Sequence, residues 1–135
     1  MIKVTDKPIS PELVVNQVRT DGSGCVATYI GLIRGHSQGK PTLSVEYTDP
    51  KGTAESRLRE IASDIRQKWQ LENLAIYHRI GKLKVGEINL VIAIASAHRQ
   101  KAFAACQYAV DQFKQKPPTR KKETYQDGST LIEEE

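Results

Sequence analysis

Ile88-Asn89-Leu90-Val91-Ile92-Ala93-Ile94-Ala95 runs directly into Ser96-Ala97-His98-Arg99. The first eight residues are almost wholly apolar and rich in β-branched side chains, the composition of a strand buried on both faces. The next four bring a hydroxyl, an imidazole and a guanidinium in quick succession. Beyond them Ala102, Phe103, Cys106, Ala109, Val110 and Phe113 recur at helical spacing, so the strand exits into a helix. A helix N-terminus leaves backbone N–H groups free and carries the positive end of the helix dipole, which suits an anion. Arg99 in the first turn opposes that dipole, so helix stability gives no reason for it. A bound phosphate or carboxylate does, because the guanidinium fork matches either. His98 stands at the end of a buried strand, where the sites of α/β-type folds gather.

On the C-terminal side, Pro117-Pro118 must end this helix, and Lys114, Lys116, Lys121 and Lys122 flank the break. The stiff diproline holds Lys114 and Lys121 at a defined spacing instead of letting them sample freely. Residues 119–135 are polar and read as a loop with at most a short strand. On the N-terminal side, residues 74–80 alternate as a strand, and residues 81–86 read as the turn into residues 88–95. Ala54, Leu58, Ile61, Ala62, Ile65 and Trp69 mark a long amphipathic helix. Residues 26–33 read as a strand with Val26, Thr28, Ile30 and Leu32 on one side. Arg34 opens a polar loop over 34–41, and a shorter strand follows at 43–47. Ser10-Pro11-Glu12 is a helix start, with Leu13, Val14 and Val18 facing inward. The order of elements is α+β in a single domain, 1–135, whose residues 117–135 form a polar C-terminal segment.

A chain of 135 residues is long enough to bury a core without disulfide staples. No apolar run approaches the roughly 20 residues that span a bilayer, and the N-terminus lacks the apolar core of a secretory signal. A cytoplasmic location is the expectation, with no membrane association. Cys25 and Cys106 show neither metal-ligand nor redox spacing, and Cys106 falls on the apolar face of its helix. No metal site is expected. The net charge of +4 is unevenly spread: residues 114–122 hold five Lys/Arg and no acid, whereas the chain ends Glu133-Glu134-Glu135. Such a cluster suits a small anion or an acidic protein as well as nucleic acid. A small RNA-binding domain is the weaker reading, because aromatic side chains do not interleave the lysines as a stacking platform requires.

Of the other histidines, His78 is in phase with Leu74, Ile76 and Ile80, which makes it a structural, hydrogen-bonded residue; His36 lies in the polar loop. Arg99 and Lys114 stand at opposite ends of one helix, about 22 Å apart at 1.5 Å per residue. If both serve one small substrate, the economical arrangement is a two-fold dimer in which His98-Arg99 of one subunit faces Lys114 of the other.

Gly31-Leu32-Ile33-Arg34, Val45-Glu46-Tyr47, His78-Arg79-Ile80-Gly81 with Val85-Gly86-Glu87, Ser96-Ala97-His98-Arg99 with Ala102-Phe103, and Lys114 through Lys121-Lys122-Glu123 together carry a resemblance. In order and spacing they resemble the large, catalytic subunit of molybdopterin synthase over nearly the whole chain. The resemblance implies an α+β fold of the α/β hammerhead type and a homodimer at the centre of a heterotetramer. It implies a small ubiquitin-like sulfur carrier as partner, inserting a C-terminal Gly-Gly thiocarboxylate, and cyclic pyranopterin monophosphate as substrate. Sulfur passes from the tail to the pterin to make the molybdopterin dithiolene, with no cofactor. Lys114 and Lys121 are the implied catalytic residues, and Arg34, His98 and Arg99 the implied substrate-binding ones. In the family a large aromatic usually precedes the second lysine, where this chain has Thr119-Arg120. That difference supports a second reading, an adaptor that binds the carrier without transferring sulfur.

Overall fold

The computed structural model describes residues 1–134, so Glu135, the last residue of the polar C-terminal segment, lies outside the described residues. Its elements are β1 (Ile2–Thr5), α1 (Pro11–Val18), β2 (Cys25–Leu32), β3 (His36–Ser37), β4 (Lys40–Thr48) and α2 (Ala54–Trp69). They continue as β5 (Leu74–Arg79), β6 (Gly81–Lys84), β7 (Ile88–Ser96), α3 (Arg99–Gln115), β8 (Arg120–Tyr125) and β9 (Thr130–Glu133). The α+β class read from the sequence is the class observed.

One sheet has the order β1-β5-β7-β2. Strand β7 sits inside it, antiparallel to both β5 and β2, and is covered on both faces, which explains its unbroken apolar run. On one face Leu58, Ile61 and Ile65 of α2 and Ala102, Ala105 and Ala109 of α3 pack on Ile76, Leu90, Ile92 and Ile94. On the other, Val14 and Val18 of α1 meet Ala75, Tyr77, Val91 and Ala93. The small residues of α3 let that helix lie close against the sheet. Helix α1 starts as its sequence dictates, with Ser10 Oγ accepting from the Leu13 N–H at 3.4 Å and Pro11 at the first position.

The second sheet runs β3-β4-β8-β9, with β6 paired to β4 as well. Two expectations are corrected here. Residues 119–135 contain a hairpin, β8–β9, in place of a loop, and residues 81–86 contain strand β6. Residues 120–125 lack the apolar alternation that marks a strand locally, and Lys82-Leu83-Lys84-Val85 alternates over only four residues between two glycines. Both are strands because β4 offers them hydrogen-bonding partners: Tyr47 lies opposite Lys121 on one side and Gly81 on the other. The 34–41 loop likewise holds the short hairpin β3–β4, closed by Gln38 and Gly39 at φ 53° and 72°, as a two-residue hairpin turn requires.

Two apolar residues face outward against expectation. Leu13 is 65% exposed and Phe103 64%, each at the edge of its helix stripe, beyond the reach of the sheet. On β2 the side bearing Thr28, Ile30 and Leu32 is exposed, because α1 packs over β5 and β7 and leaves the edge strand uncovered.

Candidate active site

The cleft between the two sheets forms where β2, β4, β7, β8 and the end of α3 meet. Arg34, one residue past Ile33 at the exit of β2, Lys114 in the last turn of α3 and Lys121 on β8 line one cavity of about 540 Å³. A smaller cavity of about 240 Å³ adjoins it, and Tyr47, Asn89, Phe113, Lys114 and Lys121 belong to both. Three of the five residues singled out from the sequence therefore converge.

The end of α3 is braced. Arg57 of α2 is buried and donates through Nη2 to the Gln112 carbonyl at 3.0 Å and through Nε to the Lys116 carbonyl at 3.2 Å. Carbonyls at a helix C-terminus lack intrahelical partners, so a guanidinium there satisfies them and complements the dipole. The turn that carries Lys114 is held as a result. Beneath it, His78 is fully buried, with Nδ1 2.8 Å from the Asn89 carbonyl and Nε2 2.9 Å from Thr119 Oγ1. A carbonyl only accepts, so Nδ1 carries the proton and Nε2 accepts from the threonine hydroxyl. Burial pushes the His78 pKa down to about 4, although the Asn89 carbonyl opposes the shift. The structural role read for His78 is the one it has. Thr119 is itself buried and fills its place through this hydrogen bond.

Electrostatically the two lysines differ. Lys121 Nζ lies 3.3 Å from Glu123 and 3.5 Å from Glu133. Burial raises the Glu123 pKa, but hydrogen bonds from Ser37 and Tyr125 and the Lys121 charge outweigh it, and the net shift is downward. Glu123 thus stays ionised, and Lys121 is neutralised by neighbours. Among the described residues neither Lys114 nor Arg34 has an ion-pair partner. They leave the cleft with unbalanced positive charge, which suits an anionic ligand. Among the described residues no group of three or more His, Cys, Asp and Glu could hold a metal, and no helix is long and apolar enough to cross a membrane.

His98 and Arg99 are elsewhere. They are exposed and line a separate pocket of about 350 Å³ with Gly24, Cys25, Ala97 and Gln100, at the opposite end of α3 from Lys114. His98 is the N-cap residue, yet its side chain bonds no helix N–H, so both side chains are free of local duties. Gly24 permits the tight crossing: a Cβ there would stand 2.1 Å from the Ala97 carbonyl oxygen.

Residues 4–116 match the MoaE protein family. The chain belongs to that family. Among its relatives is the molybdopterin synthase catalytic subunit of Nostoc sp. strain PCC 7120, 41% identical over 128 residues, which are 94% of this chain and 78% of that protein. The crystal structure of molybdopterin synthase from Staphylococcus aureus superposes with a TM-score of 0.89 at 30% identity, covering 98% of this chain and 96% of that one. A complex of subunits 1 and 2 of molybdopterin-converting factor from Helicobacter pylori shares the fold, with a TM-score of 0.76 at 10% identity over 96% of this chain and 88% of that one. This MoaE chain is accordingly a catalytic component of molybdopterin synthesis, within molybdenum cofactor biosynthesis.

Sequence reasoning overlooked three cleft residues. Asn89 carried a signal, as the one polar side chain inside residues 88–95. Glu123 and Tyr47 stood only within the stretches that carry the resemblance, and nothing local assigned them to the cleft, because their inward orientation depends on the β4–β8 register.

Proposed function

We propose that this MoaE chain transfers sulfur from the thiocarboxylated C-terminal tail of a small ubiquitin-like carrier to cyclic pyranopterin monophosphate. The observation that carries the reading is the division of the cations: Arg34, Lys114 and Lys121 share one cleft, and His98 with Arg99 face another. A two-fold homodimer resolves it by setting His98-Arg99 of one subunit against the cleft of its partner. The uncovered side of β2, with Ile30 43% and Leu32 57% exposed on an edge strand, and Phe103 on α3 support such a pairing.

In this arrangement Arg34, His98 and Arg99 bind the cyclic phosphate through charge-assisted hydrogen bonds. Lys114, which has no carboxylate partner among the described residues, is the principal acid/base or electrostatic catalyst for the charge that develops during transfer. Lys121 receives the carrier's anionic tail, which would compete with Glu133 for its ammonium. One carrier on each subunit of the dimer makes a heterotetramer. The MoaE chain acts in the cytoplasm, without a membrane or nucleic-acid partner.

The test is direct. The purified chain is mixed with thiocarboxylated carrier and cyclic pyranopterin monophosphate, and dithiolene product is measured. Product that depends on all three components supports transfer. Tight carrier binding with no product would favour the adaptor instead.

A further inference from the structure

We propose that Tyr47 is a further catalytic residue of this cleft, its phenol O–H donating a hydrogen bond to the oxyanion that forms on the acyl carbon of the sulfur donor. The inference rests on the sulfur-transfer reading above.

Placement comes first. Tyr47 lines both cavities together with Lys114 and Lys121. In the β4–β8 ladder it lies directly opposite Lys121, so the two side chains leave the same face of the sheet as close neighbours. It is 8% exposed.

The hydrogen-bond inventory comes second. A phenol oxygen can accept and can donate one proton. Its acceptor side is used, because Asn89 Nδ2 donates to it at 2.8 Å. Among the described residues nothing accepts the Tyr47 proton. A buried donor without a partner is costly, and native structures seldom leave one without a purpose. The free proton belongs to a residue that walls the cleft.

The donor is also held in place. The ring meets His78 edge-on at 5.0 Å, and His78 meets Phe113 at 5.1 Å, so the tyrosine cannot swing away without disturbing a packed stack. Asn89 reaches Tyr47 because Gly31 has no side chain: a Cβ there would stand 2.6 Å from Asn89 Oδ1, an oxygen that is buried with no hydrogen-bond partner among the described residues. Burial pushes the Tyr47 pKa up to about 12, while the Asn89 hydrogen bond pulls against it. The group stays protonated throughout and acts as a donor, never as a base.

The chemistry requires such a donor. Sulfur can leave a thiocarboxylate for a pterin carbon only if a new C–S bond forms to that carbon as its C–O bond breaks, the oxygen departing on the phosphate or as water, and the acyl C–S bond then breaks. Between these events the sulfur bridges tail and pterin as a thioester. Water adds to the acyl carbon, the carbonyl electrons move onto oxygen, and a tetrahedral oxyanion results. When it collapses, the pterin keeps the sulfur as thiolate and the tail leaves as carboxylate, with the two protons of the water released to solvent. No oxidant or reductant enters. Lys121 is already neutralised by two carboxylates, so a neutral, fixed O–H adds stabilisation where charge appears and needs no further cation.

Tyr47→Phe removes one oxygen and keeps the ring stack. In single-turnover assays with thiocarboxylated carrier and cyclic pyranopterin monophosphate, dithiolene formation should slow on the order of 10²-fold, the scale for loss of an oxyanion donor. Calorimetric affinity for the pterin and for the carrier should stay within about twofold, since the contact exists only in the transition state. A covalent tail–pterin thioester should accumulate in the variant, visible by intact mass and discharged by hydroxylamine. Asn89→Leu should give a smaller loss, and the double variant should be no slower than Tyr47→Phe alone. If Tyr47→Phe matches the wild-type rate, or if weaker binding accounts for its whole loss, the role assigned to Tyr47 is wrong. A wild-type protein that makes no dithiolene in the same assay would instead overturn the sulfur-transfer reading, and this inference with it.

Discussion

Arg99→Ala and Lys114→Ala chains, each inactive alone, should restore activity to one another when mixed. Residues 99 and 114 are separated by fifteen positions along α3, about 22 Å at 1.5 Å per residue, and their side chains line different pockets. In a shared-site dimer, each site takes Lys114 from one chain and Arg99 from the other. Equal mixing with free exchange makes half of the dimers mixed. In a mixed dimer, one site combines the Lys114 of the first variant with the Arg99 of the second, and is intact. The other site carries both lesions. One site in four therefore works, and activity should recover to about a quarter of the wild-type value. The assay is dithiolene formation after exchange, with the fraction of mixed dimers counted by native mass spectrometry of one isotope-labelled partner. Exchange verified by mass with no recovered activity would refute the shared site, because chains that each need their own Arg99 and Lys114 cannot complement.

Three other outcomes are expected. Lys114→Ala should lose at least ~100-fold in rate with little change in substrate affinity, and Lys114→Arg should rescue poorly, because guanidinium does not exchange a proton near neutral pH. The exposed Lys116 should tolerate alanine, and equal damage at both positions would mean that the segment acts only as a diffuse charge. Arg99→Ala should weaken pterin binding by roughly 10- to 150-fold, or about 1.5–3 kcal/mol, while carrier binding holds; unchanged calorimetric affinity would remove Arg99 from the phosphate site. Finally, His78 lies at about 4 in the folded protein against 6.5 when free, so unfolding takes up a proton between those values. Its contribution to stability is complete above pH 6.5 and is lost as pH falls toward 4, a change on the order of 3 kcal/mol at about 1.4 kcal/mol per pH unit. Urea unfolding should show that decline in the wild type and a much flatter one in His78→Gln; parallel profiles would place the titration elsewhere.

Helices α2 and α3 and strands β5 and β7 were legible because their signal is local: apolar residues repeat at the period of the element, and burial follows. The same logic placed His78 among core residues and Ser10-Pro11 at a helix start. It failed where periodicity runs past the neighbouring layer, as at Leu13 and Phe103, whose spacing fits a stripe that the sheet is too narrow to cover. It failed again at β6, β8 and β9. Arg120-Lys121-Lys122-Glu123 has no intrinsic preference for a strand, and becomes one because β4 presents a free ladder to it.

The site divides in the same way. By itself the sequence singled out the candidate side chains: Arg34, His98, Arg99, Lys114 and Lys121 stand out by residue type, by position at element ends and by the motifs that carry the resemblance, and their roles are those proposed above. It also determined that Arg99 and Lys114 lie far apart, since a helix has a fixed rise per residue. Only the tertiary structure decided that Arg34, Lys114 and Lys121 meet in one cleft, that among the described residues Lys121 is neutralised by Glu123 and Glu133 while Lys114 has no ion-pair partner, and that Tyr47 lines the same cleft with no acceptor for its proton among them. Those facts depend on strand pairing between segments more than seventy residues apart, such as Tyr47 with Lys121. Pairing at that range is selected by the whole fold, and no local run of residues encodes it.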